Sequence, residues 1–321
     1  MIKKLIYILF TIIPVVAYAQ QVPIHTLYND NNFMINPAVA GYNHCFDIRL
    51  QSLSQMQGFS SYPGTQVLSM HSRISRLGKY DQSGIVQKTS HIKRTGRVGL
   101  GAYVFNDVNG PFRRMGGSFS YAYHLVFDRL NNHNLSFGLS LGIYQYSFDQ
   151  NIDDLQLVMD QAVVNLRSPV VMPESNFGIY YYSTKFFFSF SVTQLFGDAL
   201  SFGKSSPDYF HPPRLYAGAG YKMKMQYDFE IQASAYIKSY DTKRMQLDIN
   251  PRIIYKSNYW LGLSFRTFNS LHYSVGFKYS KFSLAYTYIR AFGAVNTYVN
   301  GSHVFLLGIL LNEKKTIDNY L

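Results

Sequence analysis

The sequence has one cysteine, one tryptophan and few acidic residues. Cys45 alone excludes a disulfide framework, a cysteine metal site and a lipid-modified cysteine beside the leader. After the first 20 residues no run of about 18 apolar residues occurs, so no membrane-spanning helix is expected. Asp and Glu number 18 against 30 Lys and Arg, a formal net charge of +12. Neither internal repeats nor low-complexity tracts divide the chain, which reads as one domain. Aromatic residues, in contrast, are abundant. Tyr and Phe number 28 and 25, an excess that suits side chains with one apolar and one wet end, as at a membrane boundary.

Residues 1–19 read as a secretory leader, with Lys3 and Lys4 at its start, an apolar core from Leu5 to Val16, and the small-residue site Ala17-Tyr18-Ala19. In a cytosolic protein, this basic charge and aromatic content would suggest RNA binding. Export argues against any nucleic-acid partner. The basic residues then belong to solvated loops, a lined lumen, or a face meeting anionic lipid or an acidic partner.

Alternation identifies the fold class. Leu135, Phe137, Leu139, Leu141 and Ile143 share one face, and Ser136, Gly138, Ser140 and Gly142 the other. The same period of two runs through Phe229–Lys238 and Met245–Tyr255. Small or polar residues opposite apolar ones are the pattern of a lipid-facing wall around a polar lumen. The expectation is an all-β fold, a transmembrane outer-membrane β-barrel of about fourteen antiparallel strands. They fall at 46–56, 65–74, 96–107, 112–127, 134–148, 175–183, 185–195, 214–224, 227–239, 244–256, 258–268, 270–279, 281–290 and 301–311. An even count puts both barrel ends on the periplasmic side. Tight turns near 183–185, 225–227, 256–258 and 279–281 then fall inside, and the long segments 149–174 and 196–213 outside. The basic connection 75–95 is a long inside exception. Within 149–174, either a short helix or an irregular loop fits. Pro251 lacks a ladder donor and predicts a bulge or break in the tenth strand. The expected organisation is a leader at 1–19, an N-terminal periplasmic segment at 20–45, the barrel at 46–312 and a periplasmic tail at 313–321.

Signals for chemistry are weak. None of the nine histidines has H-x-x-x-H spacing, so neither a metal site nor any cofactor is expected. Ser302-His303 and His124 are the candidates for a hydrolytic group, against the plainer reading of hydrogen-bonded lumen residues. Gly99-x-Gly101 and Gly218-x-Gly220 sit inside strands with no helix following, so they cradle no phosphate and instead thin the lumen face or relieve strand curvature. Asp107 to Pro111, with Gly110, reads as a hairpin turn on its Asn-Gly core. Arg266 shares a face with Trp260, Gly262 and Ser264, opposite Leu261, Leu263 and Phe265, and reads as lumen polarity.

"MINPAVAGYN" at 34–43 is neither strand nor helix by local rules. Pro37 fixes its own φ and extends Asn36. Ala38 and Ala40 are nearly bare, and Gly41 accepts a positive φ. This compact turn at the mouth of the barrel would let the N-terminal segment fold into or against the wall at close backbone approach. The segment also carries a resemblance. Asn36, Pro37, Ala38, Ala40 and Gly41 form an Asn-Pro-Ala-x-x-Gly motif. After it come "QMQGFSSYPGTQVLSMH", "VGLGAYVFNDVNGP", "SYAYHL" with Tyr121 and His124, "LSFGLSLGIYQYSFD", "WLGLSFR" and "GSHVFLLG" with Ser302 and His303. In this order they resemble the PorP/SprF family of the Bacteroidota type IX secretion system. Met56 stands where the family pattern has Trp, and Val304 where it has Glu.

The resemblance implies a non-enzymatic integral outer-membrane barrel that assists export or surface retention of a particular surface protein, often a gliding adhesin. The implied partners are outer-membrane lipid, that secreted cargo and periplasmic secretion components. The alternatives are a porin or small-molecule transporter, suggested by the polar lumen faces, and an outer-membrane hydrolase.

Overall fold

The computed structural model describes residues 30–43, 45–56, 63–74, 97–128, 133–148, 169–196, 213–241, 244–267, 270–293 and 300–311. Along them run fourteen strands: β1 (Phe46–Ser54), β2 (Gly64–Ile74), β3 (Val98–Asn109), β4 (Phe112–Asp128), β5 (His133–Phe148), β6 (Val170–Tyr182) and β7 (Phe186–Thr193), followed by β8 (Arg214–Lys224), β9 (Phe229–Asp241), β10 (Arg244–Tyr255), β11 (Tyr259–Arg266), β12 (Ser270–Tyr279), β13 (Phe282–Ala291) and β14 (Ser302–Leu311). Each pairs antiparallel with the next, and β1 pairs with β14 from Phe46↔Leu311 to Ser54↔His303. The sheet is a closed barrel. Closure follows from the solvent, because an unsatisfied backbone group in hydrocarbon costs several kcal/mol. A net hydrogen bond in water contributes only about 1 kcal/mol.

The alternation is realised as expected. Leu139, Leu141 and Ile143 face outward, while Ser136 and Ser140 are buried against the lumen. Leu261, Leu263 and Phe265 face outward opposite Ser264 and Arg266. The near end of the barrel is where β1 begins and β14 finishes. There the connections 183–185, 225–228, 256–258 and 280–281 are tight, whereas the connections 149–169 and 194–213 lie at the far end.

Three local expectations are corrected. Strand β6 begins at Val170 instead of 175, because Val170 to Met172 pair with Tyr146 to Tyr144 and Pro173 is accommodated opposite Ile143. Pro251 neither bulges nor breaks β10. Its register to β9 is continuous through Pro251↔Ala233, and only the pairing of Asn250 and Pro251 toward β11 is missing, on the side where proline has no donor. The register shift of β10 lies at Arg244/Met245. The β3–β4 hairpin turns at Gly110-Pro111, with Asn109 paired to Phe112, so Asp107 belongs to the strand and not to the turn. The possible helix within 149–174 and the connection 75–95 fall outside the described residues, except for the few that belong to β6.

Candidate functional site

The segment expected at the mouth runs inside the lumen from Asp30 to Asn43. Two single turns of 3-10 helix, Asn32–Met34 and Pro37–Val39, fold it compactly. Between them Asn36 is extended at φ −138° and ψ 107°, as a residue before proline must be. Its Oδ1 accepts a hydrogen bond from Ala38 N at 2.9 Å, and Pro37 takes the first position of the turn, where no donor is needed. Gly41 holds φ at +74° against the Ser72–Arg73 backbone, a conformation a side chain disfavours. Asn36, Ala38 and Ala40 are fully buried.

A strip of small residues receives this plug. Gly99 pairs with Ala122, Ala122 with Gly138, Gly138 with Gly178 and Gly178 with Ser191, which makes one row across β3 to β7. A Cβ at Gly99 would overlap the Ala40 carbonyl, at Gly138 the Ala38 nitrogen, and at Gly178 the Asn36 side chain. The glycines therefore make room for a second backbone. Beside the row, Phe33 lies over Gly101 and meets Tyr103 edge-on at 6.1 Å. Tyr42 is edge-on to Tyr180 and Tyr182, and burial pushes its phenol well above the usual tyrosine range, so it stays neutral.

Hydrogen bonds from many strands hold the plug's polar backbone. Ser191 Oγ donates to Ile35 O at 2.7 Å and Ser136 Oγ to Ala38 O at 2.8 Å. Asn36 Nδ2 donates to Ser189 Oγ at 2.9 Å and to Ile179 O at 3.0 Å. His124 Nε2 lies 2.8 Å from Ala40 O. A carbonyl only accepts, so Nε2 carries the proton, leaving Nδ1 to accept from Tyr182 OH at 3.3 Å. Arg73 in turn donates to Tyr182 OH at 2.6 Å. Elsewhere around the lumen, Tyr236 OH of β9 donates to Asn32 Oδ1 at 3.0 Å, and Asn31 Nδ2 donates to Ser69 Oγ of β2 at 2.7 Å. Arg252 pairs with the Asp30 carboxylate, and Arg49 reaches the Asp30 carbonyl.

Toward the far end, charged and aromatic clusters line the lumen. Asp248 Oδ2 is 2.7 Å from Lys238 Nζ and 3.1 Å from Arg266 Nε, all three side chains being buried. The Arg114 guanidinium lies 4.5 Å from the Tyr144 ring centre, flanked by Phe105 and Tyr146, with Glu174 at 3.9 Å. Asp107 accepts from Thr65 Oγ1 at 2.6 Å. A cavity of about 30 Å³ beside Asp30 and Asn32, reaching Tyr236, Ser264 and Thr287, has room for roughly one water.

The sequence-singled residues thus separate. Asn36, Pro37, Ala38, Gly41 and His124 come together as the plug and its seat. Arg266 and Asp107 line the lumen elsewhere, Gly110 forms the far-end turn, and Tyr121 faces outward. Ser302 and His303 are adjacent on β14 and therefore point to opposite faces. His303 lies outward against Tyr286 OH at 2.7 Å, so it is not a lumen group and forms no pair with Ser302, which instead accepts from Met56 N at 3.1 Å. The pair that does form, Ser270 Oγ with His272 Nε2 at 2.9 Å, went unread, although its i, i+2 spacing on a strand was the available signal. At 1% and 3% exposure it has no space for a substrate. Among the described residues, no three His, Cys, Asp or Glu side chains are grouped to hold a metal ion.

Among solved structures, the outer membrane protein Omp33 of Acinetobacter baumannii matches with a TM-score of 0.45 at 8% identity, over 84% of this chain and 99% of its own. The toluene transporter TbuX of Ralstonia pickettii matches with a TM-score of 0.49 at 10% identity, over 87% of this chain and 93% of its own. No curated protein matches. The family described as type IX secretion system membrane protein PorP/SprF matches residues 17–309, from before the plug to the last strand. With the motif of the plug and the closed barrel both inside that match, the chain belongs to the PorP/SprF family and is an integral outer-membrane barrel of type IX secretion.

Proposed function

We propose that this barrel is a non-enzymatic accessory of type IX secretion that assists export or surface retention of one particular partner, a surface protein or adhesin. The observation that carries the reading is the occupied lumen. Residues 30–43 occupy the near half, held by donors from six strands, and buried ion pairs line the far half. A porin needs an open aqueous path, which this filling opposes. The far-end connections 149–169 and 194–213 are the proposed cargo contacts, because a rigid barrel puts recognition on its loops. The near mouth, from which the plug enters, is the proposed side for periplasmic secretion components.

Deletion of the gene, read by proteomics of surface and medium fractions, tests the reading. One or a few surface proteins are expected to disappear from the surface while uptake of small solutes stays normal. An unchanged surface proteome overturns it. Purified barrel in planar bilayers tests the porin reading separately, and steady conductance of the wild-type chain would favour that reading.

A further inference from the structure

We propose that the arc of tight turns at the near end, from the β6–β7 turn round to the β12–β13 turn, is a contact surface for the headgroups of anionic phospholipids. The arc is one continuous rim. Backbone hydrogen bonds join neighbouring hairpins: Lys222 N to Lys185 O at 2.6 Å, Lys256 N to Asp228 O at 2.9 Å, Lys278 N to Asn258 O at 2.7 Å and Leu310 N to Lys281 O at 2.7 Å. The backbone positions that carry the rim's side chains are therefore fixed relative to one another.

The turns keep side chains where backbone conformation disfavours them. Tyr227 and Asp228, Lys256 and Ser257, and Ser280 all have φ between +49° and +62°. The first two pairs occupy the two central positions of hairpin turns, closed by Phe229 N to Gln226 O and by Asn258 N to Tyr255 O. Asn-Gly or Gly-Gly is the unstrained choice there. At the far end the left-handed positions of Gly110, Gly293 and Gly301 are indeed glycine, with Met56 and Gln194 the exceptions. Tolerating a tyrosine and a lysine in this conformation points to a use for those side chains.

Their chemistry indicates the use. Lys185, Lys256 and Lys281 are exposed at the turns of the arc, whereas Asp228 is the exposed acid of the same turns. Glu230 is buried and already paired with Lys222 at 3.2 Å. Just inside this basic rim, Tyr221, Tyr255, Tyr259 and Tyr279 continue the lipid-facing side of their strands. Tyr227 and Tyr279, at 84% and 77% exposure, stand clear of the apolar wall, where exposures are mostly nearer half. Tyrosine at the boundary with lysine one step beyond is the order in which a membrane presents its interface and its phosphates. Lys256 leans toward that side, its Nζ 5.3 Å from the outward Tyr255 ring.

The full chain, purified in detergent and mixed with equal phosphatidylglycerol and phosphatidylcholine, would be examined by native mass spectrometry for retained lipid. The wild type is expected to retain phosphatidylglycerol roughly five-fold or more over phosphatidylcholine, the scale of one or two engaged lysines. Combining Lys185→Gln, Lys256→Gln and Lys281→Gln should bring the ratio near unity, with heat-modifiable gel migration reporting an intact barrel. Lys256→Asn with Ser257→Gly relaxes one turn while removing its lysine. It should fold at least as well and still lose part of the preference, and it decides the matter if the triple variant does not fold. An equal ratio in the wild type, or a ratio unmoved in the variants, overturns the proposal. So does competition by inorganic phosphate as effective as by lipid, which would mark a free-anion site. Loss of a co-purifying soluble protein with the lipid ratio unchanged would assign the rim to a protein partner.

Discussion

Across β3 to β7 the lumen wall is shaped by side chains that are absent, and across β9 to β12 by side chains that are charged. The first wall puts Gly99, Ala122, Gly138, Gly178 and Ser191 in one row and packs another stretch of backbone against it. The second sets Lys238, Asp248 and Arg266 against each other without help from the plug. Backbone-to-backbone packing tolerates almost no added volume, since nothing flexible can move aside. A buried ion cluster tolerates volume better but not a change of charge. The two walls should therefore fail differently: the first by releasing the plug from an intact barrel, the second by weakening the barrel itself.

Asp248→Ala is the most damaging change expected. It removes the carboxylate between two buried cations, and breaking such a pair costs about 3–5 kcal/mol. Denaturant titration followed by heat-modifiable gel migration should show that loss, with the plug still protected in the folded fraction. A midpoint close to wild type would mean that Lys238 and Arg266 find adequate compensation elsewhere, and the contrast between the walls would weaken. Gly138→Leu comes next. Its side chain has to enter the space of the Ala38 backbone, an overpacking of roughly 1–3 kcal/mol that displacing the plug relieves. The expected signs are protease cleavage before β1 and conductance in planar bilayers, in a barrel that still migrates as folded. Gly64→Ala, at a glycine with open surroundings, is the control and should change neither. A closed, protected Gly138→Leu barrel would show that the seat is looser than its geometry implies.

The two walls were also unequally legible. Period-two alternation made the barrel readable, because lipid outside and polar groups inside leave their mark on every strand. Arg266 could be put on the lumen face by parity alone, but its partner Asp248 lies 18 residues away on another strand and needed the register. The glycine row was invisible for the same reason. Gly99 and Gly138 could each be read as thinning the lumen face, but with Gly178 they form a seat only when five strands are aligned. The turn at Asn36–Gly41 was readable as compact and suited to close approach, since proline and small residues act locally. Its hydrogen-bond partners, Ser136, Ser189, Ser191 and His124, come from strands 84 to 156 residues downstream. The pairing of Ser302 with His303 was an avoidable misreading, because adjacent strand residues always face opposite ways.

The finest division of the first wall lies in how the plug's carbonyls are held. His124 approaches Ala40 O as a donor from β4, and its orientation is set by Tyr182 of β6 behind it. His124→Phe keeps a flat ring of similar size and removes the donor, so a buried carbonyl loses its partner at about 1–3 kcal/mol. Tyr182→Phe leaves the imidazole in place and removes only the hydroxyl behind it, a smaller loss of about 0.5–1.5 kcal/mol. Hydrogen exchange across residues 30–43 distinguishes the two. Both variants should speed exchange in the plug, His124→Phe the more, while the β9–β12 ladder exchanges as in the wild type. If Tyr182→Phe loosens the plug as much as His124→Phe, the hydroxyl is what fixes the imidazole, and the chain from Arg73 through Tyr182 to His124 acts as a unit in holding the segment. If the acceleration spreads to β9–β12 instead, the two walls are coupled, and the division drawn between them fails.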